Sequence, residues 1–111
     1  MELIMDALNT MHASGVDEEG FLYNPNLWDR NVAVHIAESL GFGELDADQW
    51  NLIFGLRKYY FSHSTTPPLR RICHINKLQN NCVATLFYNQ GIELWKIAGL
   101  PNPGEEAKAY M

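Results

Sequence analysis

Cysteine is sparse in this chain: 111 residues contain two, Cys73 and Cys82. Neither stands in a Cys-x-x-Cys pair or at ligand spacing from a histidine, so neither a disulfide framework nor a zinc site is expected. No stretch approaches the roughly 18 consecutive apolar residues of a membrane-spanning helix. No basic-then-apolar leader opens the chain, and a cytoplasmic protein without membrane contact is expected. Phosphate-cradling glycine loops are lacking too. The lone Gly-x-Gly, Gly41-Phe42-Gly43, sits beside acidic residues. His12, His35, His63 and His74 are scattered without ligand spacing, and no Ser-His-Asp grouping exists. No catalytic residue, metal or cofactor is therefore assigned. Repeats and low-complexity segments are absent as well.

Charges of the two signs are scarce in different stretches of the chain. Residues 1–48 carry ten acids and one base, Arg30, whereas residues 49–92 carry Arg57, Lys58, Arg70, Arg71 and Lys77 and no acid. Within a net charge of −5, this asymmetry points either to an anionic partner or to pairing between the halves. Apolar residues make up 47% of the chain. That is enough for the core of one domain, residues 1–111, with an N-terminal region at 1–16 and a C-terminal arm at 104–111.

Helix signals follow in order. Met1 to Ser14 has apolar residues at helical spacing, Leu3, Ile4, Ala7, Leu8 and Met11. A first helix starts at Asn26 or Asp29, runs to Leu40 and presents Trp28, Val32, Ile36 and Leu40, with Ala33 and Ala37 filling the seam. His35 lies off that stripe. A second helix opens on the capping box Asp46-Ala47-Asp48-Gln49 and runs to about Ser62. Its apolar residues extend around much of the circumference, and Gly55 costs about 1 kcal/mol against alanine unless a neighbouring helix comes close. Thr66 and Pro67 provide start chemistry for a third helix, to about Leu78. That helix has an apolar face with Leu69, Ile72 and Cys73 and a basic one with Arg70, His74 and Lys77, Arg71 beside it. A fourth helix spans Cys82 to Tyr88. A fifth, Ile92 to Ala98, ends at Gly99, and Pro101 and Pro103 forbid its continuation.

The segment Trp95-Lys-Ile-Ala-Gly-Leu-Pro-Asn-Pro103 resembles the C-terminal end of the DsrC/TusE family of sulfur-relay proteins. So do Asp17-Glu18-Glu19-Gly20-Phe21-Leu22, the Trp50…Arg57…Tyr60 helix, Pro67-x-x-Arg70 and Leu86-Phe87, in the same order over roughly residues 15–103. The resemblance implies a mainly α fold: an orthogonal bundle of about five helices, with a helix-turn-helix-like pair and a small β-hairpin at the N-terminus. It also implies partners among sulfite reductase or sulfur-relay proteins. The family works through cysteine on a mobile arm, one two residues before the Ile-Ala-Gly-Leu-Pro turn and one at the penultimate position; TusE keeps only the latter. Here those places hold Trp95 and either Glu106, by spacing from Pro103, or Tyr110, counted from the end. None is a thiol.

Three functional expectations follow. The first is a regulatory or interaction protein of sulfur metabolism that has lost the carrier cysteines and meets its partner through Arg70, Arg71, His74, Lys77 and Trp95. The second is a DNA-binding regulator using the helix-turn-helix-like pair, although five basic residues neutralise only a few phosphates. The third is a sulfur carrier through Cys82, a candidate reactive thiol because a helix N-terminus lowers a thiol's pKa. Cys73, between Ile72 and Ile75, is expected to be buried and inert. Trp95 either packs the last helix onto the core or is presented as an aromatic anchor. Glu105, Glu106 and Lys108 are expected to form a solvated tail.

Overall fold

The computed structural model describes residues 15–111, and the N-terminal hairpin expectation lies outside them. Six α-helices follow a 3-10 turn at Pro25–Leu27: α1 Arg30–Ser39, α2 Ala47–His63, α3 Leu69–Ile75, α4 Cys82–Phe87, α5 Gly91–Ile97 and α6 Glu105–Lys108. Among the described residues the only β pairing is an isolated antiparallel bridge between Val16 and Leu22. The mainly helical expectation holds. None of these helices is long and apolar enough to cross a membrane.

The helix starts follow their caps. Asp29 accepts the Val32 N–H at 2.9 Å and starts α1, satisfying an amide that has no partner within the helix. At α2 the capping box is complete: Gln49 N–H donates to Asp46 and Asp46 N–H donates back to the Gln49 amide oxygen, both at 2.8 Å. The remaining Gln49 NH2 reaches the Leu86 carbonyl at 2.8 Å, tying α2 to α4.

Packing is closest where side chains are smallest. Ala33 and Ala37 are fully buried, whereas Trp28, Ile36 and Leu40 are only partly covered. The alanines let α1 press against α5. The alanine seam is thus the inner face of α1, and the larger stripe flanks it. Gly55 has the expected close neighbour: a Cβ there would come within 2.2 Å of the Asn76 amide at the end of α3. Below these contacts Leu52, Ile53, Leu56, Ile72, Leu94 and Trp95 form a core with no exposed surface, each aliphatic member contributing about 1.5–3 kcal/mol by leaving water.

Three expectations need correction. The third helix is shorter than Pro67–Leu78: Pro68 keeps an extended ψ of 131° and α3 begins at Leu69 without a side-chain cap. Consecutive prolines hold the preceding residues extended, so Thr66 does not serve as the cap. At the other end Asn76 turns its amide back onto the Ile72 carbonyl at 2.9 Å. Lys77, with φ 61°, then leaves the helix. The arm is not a solvated tail. Residues Glu105–Lys108 form a helical turn, and Lys108, its side chain 11% exposed, binds Glu19 and Glu105. Finally, the two cysteines are joined. The turn between α3 and α4 brings their Cα atoms to 5.7 Å and a disulfide links Cys73 to Cys82, a separation within the bridging window. Their spacing matches neither a metal nor a secreted-scaffold pattern. The pairing comes instead from two consecutive short helices whose buried faces meet.

Candidate functional site

The turn after α5 is fixed by three long side chains. Trp95 has no exposed surface and its indole N–H donates to the Pro101 carbonyl at 2.7 Å. Trp28 donates to the Ile97 carbonyl at 2.8 Å. Arg57 donates to the Ala98 carbonyl at 2.8 Å and to Pro25 at 3.0 Å, joining the end of α5 to the 3-10 turn that precedes α1. Its guanidinium lies 4.1 Å from the Trp28 ring centroid and 5.1 Å from that of Phe61. Burial pulls its pKa below the ordinary arginine value, yet arginine keeps its charge in proteins. Trp28 and Arg57 thereby satisfy the Ile97 and Ala98 carbonyls that the end of α5 leaves open. Trp95 is therefore packed, and the expectation that it is presented to a partner is not met.

The arm beyond the turn is tied down. Asn102 donates to Asp17 at 3.1 Å and accepts the Gly104 N–H at 2.9 Å. Lys108 lies over Phe21, which also receives Lys96. Hydrogen bonds to Glu105 and Glu19 raise the Lys108 pKa above the ordinary lysine value. Glu106 and Tyr110 stay exposed on this arm, Tyr110 by 85%.

Asp17 is the anchor on the opposite side. Desolvation pushes its carboxyl up, but hydrogen bonds from Phe21, Asn102, Glu19 and Gly20 outweigh it and hold the group below the usual carboxylate value. A depressed folded pKa means stability that is present above the unfolded value of about 3.9 and is lost as pH falls through the folded value. Asp17→Ala should lower stability by about 1 kcal/mol at neutral pH. The difference from the parent should shrink in thermal melts below about pH 4; a constant difference across that range would refute the anchor role.

The thiols expected to matter are not free. Cys73 and Cys82 are bonded to one another and are 0% and 2% exposed. Cys82 is therefore not a reactive thiol in this state. Its place at a helix start was readable from the sequence, but its partner was not.

The basic face is real and partly concave. Arg70, Arg71, His74 and Lys77 are all exposed. Three of them, Arg70, Arg71 and His74, line a recess of about 540 Å³ with Pro68 and Asn80. Lys77 follows the end of α3 and does not line it. Among the described residues none of the four forms a salt bridge. Asn80 was missed because its role depends on the turn that carries it back beside α3. Arg57, by contrast, was visible as part of a motif, without its task.

A helical domain with a pinned turn, a short arm and no free thiol on it defines a small α-helical protein built around its C-terminal segment. The chain matches the family described as DsrC like protein over residues 9–105, and it belongs to that family. It is 30% identical over 95 residues to sulfurtransferase TusE of Salmonella typhimurium (strain LT2), covering 78% of this chain and 86% of the relative. The same figures hold for TusE of Escherichia coli (strain K12). Among solved structures, dissimilatory sulfite reductase I (DsrI) superposes with a TM-score of 0.72 and 30% identity, over 81% of this chain and 88% of that one. The oxidised gamma-subunit of the dissimilatory sulfite reductase (DsrC) from Archaeoglobus fulgidus gives 0.66 and 32%, over 79% and 87%.

Proposed function

We propose that this chain is an interaction protein of sulfur metabolism that docks to sulfite reductase or sulfur-relay partners and does not carry sulfur itself. A sulfurtransferase and a sulfite reductase gamma-subunit among its relatives supply the partner class. The observation that carries the rest is the arm. The arm has no cysteine, the places that the family resemblance marks for thiols falling on Trp95 and Glu106 or Tyr110, and it is held by Asn102–Asp17 and Lys108–Glu19. A carrier must present a thiolate to a partner, since thiolate fraction and access together set the exchange rate. Both cysteines of this chain are in a buried disulfide. Regulation by occupying a partner's docking surface is open to such a protein, and the exposed basic residues of α3 offer the contact.

The experiment has two arms. Brief incubation with a persulfide donor should leave the intact mass unchanged. Gain of a sulfur atom at Cys82, abolished by Cys82→Ser and passed to a second protein, would refute this reading in favour of a carrier. Affinity capture from native extract should retrieve sulfite reductase or relay proteins, less of them after charge reversal at Arg70 and Lys77. Retrieval of a promoter fragment instead would favour a DNA-binding regulator.

A further inference from the structure

Two concavities meet at Arg70. The basic recess of about 540 Å³ shares Pro68, Arg70 and Asn80 with a second one of about 670 Å³, which continues along α3 and α4 to the chain's last residues. The second is floored by Pro67, Leu69, Val83 and Ala84, and the arm supplies its far wall through Tyr110 and Met111. That wall is seated on the bundle: a Cβ added to Gly91 would come within 2.9 Å of the Met111 carbonyl and 2.6 Å of Leu69.

The polar edge is made by Asn80, Asn81 and Asn89. Two of their main chains are used within the fold, Asn81 accepting from the Thr85 N–H at 3.1 Å and Asn89 donating to the Val83 carbonyl at 3.0 Å. Their side-chain amides hydrogen-bond to no other described residue. Tyr88 and Asn89 both adopt the left-handed conformation, with φ 54° and 60°, which asparagine tolerates but which costs a tyrosine about 1 kcal/mol or more. This unfavourable turn sets Asn89 at the groove edge.

We propose that the continuous groove receives an extended, acidic segment of a partner polypeptide. Its carboxylates meet Arg70 and Arg71, its main chain runs along the three asparagine amides, and its apolar side chains rest on Pro67, Leu69 and Val83. A primary amide offers both donor and acceptor, which suits a peptide backbone. Guanidinium groups without acidic partners among the described residues suit carboxylates. A small oxyanion would use the arginine end alone and leave the apolar floor unfilled. A nucleic acid would meet two arginines and a histidine on a chain of net charge −5, too few cations for the phosphate contacts that dominate such binding. The arm thereby becomes a fixed wall of a receiving site. The proposal rests on the interaction-protein reading and narrows it to a partner chemistry.

The test uses the full chain and a fluorescently labelled peptide of about twelve residues with alternating glutamate and leucine, read by anisotropy. Replacing its glutamates by glutamine should weaken binding about tenfold or more, as should Arg70→Glu with Arg71→Glu in the protein. Tyr110→Ala and Asn89→Asp should each weaken it several-fold. All four side chains are exposed, so melting temperature should hold and report folding independently. If Tyr110→Ala and Asn89→Asp bind as the parent does, the groove is not the site and the proposal fails. It fails equally if sulfate at millimolar concentration displaces the peptide completely, or if a single-stranded oligonucleotide binds more tightly through the same residues. Capture of relay partners undiminished by Tyr110→Ala, with no peptide binding, would sink the groove and leave the docking reading intact. Groove-dependent peptide binding without capture of such partners would do the reverse.

Discussion

Gly99→Ala should cost this protein about 2–5 kcal/mol of stability, a large part of the margin of a small domain. Two independent causes add at that position. Gly99 has φ +70°, and a Cβ there would come within 2.0 Å of Trp28 Cδ1 and 2.9 Å of Trp28 Cβ. The left-handed conformation alone costs a side-chain-bearing residue about 1–2 kcal/mol. Forcing atoms into a filled contact costs about 1–3 kcal/mol more. Trp28 cannot simply swing away, because its N–H holds the Ile97 carbonyl and its ring supports Arg57. Displacing it would leave one carbonyl unpaired and loosen the arginine that joins Ala98 to Pro25. Gly43→Ala is the control. Gly43 has the same φ of +70° but nothing lies within 4 Å of a Cβ added there, so only the backbone cost applies, about 1–2 kcal/mol. Urea unfolding of both variants separates the causes. Equal losses at the two positions would show that contact with Trp28 contributes nothing.

Caps acting over three or four residues were legible in the sequence, since Asp29 and the Asp46–Gln49 box use chemistry local to the chain. The close approach at Gly55 was also readable, because a glycine inside an apolar helix needs a reason. Its partner was not: Asn76 reaches it only after the chain has turned between α2 and α3 and run the length of α3. Trp95 shows the same limit. Sequence alone left it packed or presented, and the choice was made by Pro101, six residues on, whose carbonyl takes the indole N–H. By composition the charges of the arm look like a solvated tail. Its hold on the fold comes from Glu19, 89 residues away in sequence.

On the basic face, helical spacing correctly grouped Arg70 and His74, which share the recess. Lys77 was assigned to the same stripe, but the helix ends before it and takes it off that register. The asparagines that edge the groove carry no charge and follow no period. They come together only because the α3–α4 turn and the left-handed pair Tyr88–Asn89 place them on one side. Local chemistry is written in the sequence; convergence from separate turns is a property of the packed chain.

Reduction of the Cys73–Cys82 bond should lower stability by somewhat less than about 3 kcal/mol, roughly 10 °C in melting temperature for a chain of this size. The basis is the chain, since the closed loop is short, with a sequence separation of 9. Cross-linking a loop near that length removes denatured-state entropy worth a little under the about 3 kcal/mol of a 15-residue loop. The two cysteines are 0% and 2% exposed. Attack by an external thiol therefore requires the α3–α4 pair to open first. Dithiothreitol should act slowly on the native protein and quickly in denaturant, with a gain of two hydrogen atoms in intact mass. Comparing oxidised and reduced forms of the unaltered sequence avoids the cavity or unpaired hydroxyl that alanine or serine would introduce. The loop carries Asn80, so the reduced form should also bind the acidic peptide less tightly, by a few-fold, if the bond helps fix the groove edge. Protein purified without reductant that is alkylated at both cysteines upon unfolding would show that the bond does not form. Equal melting temperatures for the two forms would show that the pair is held by its packing alone.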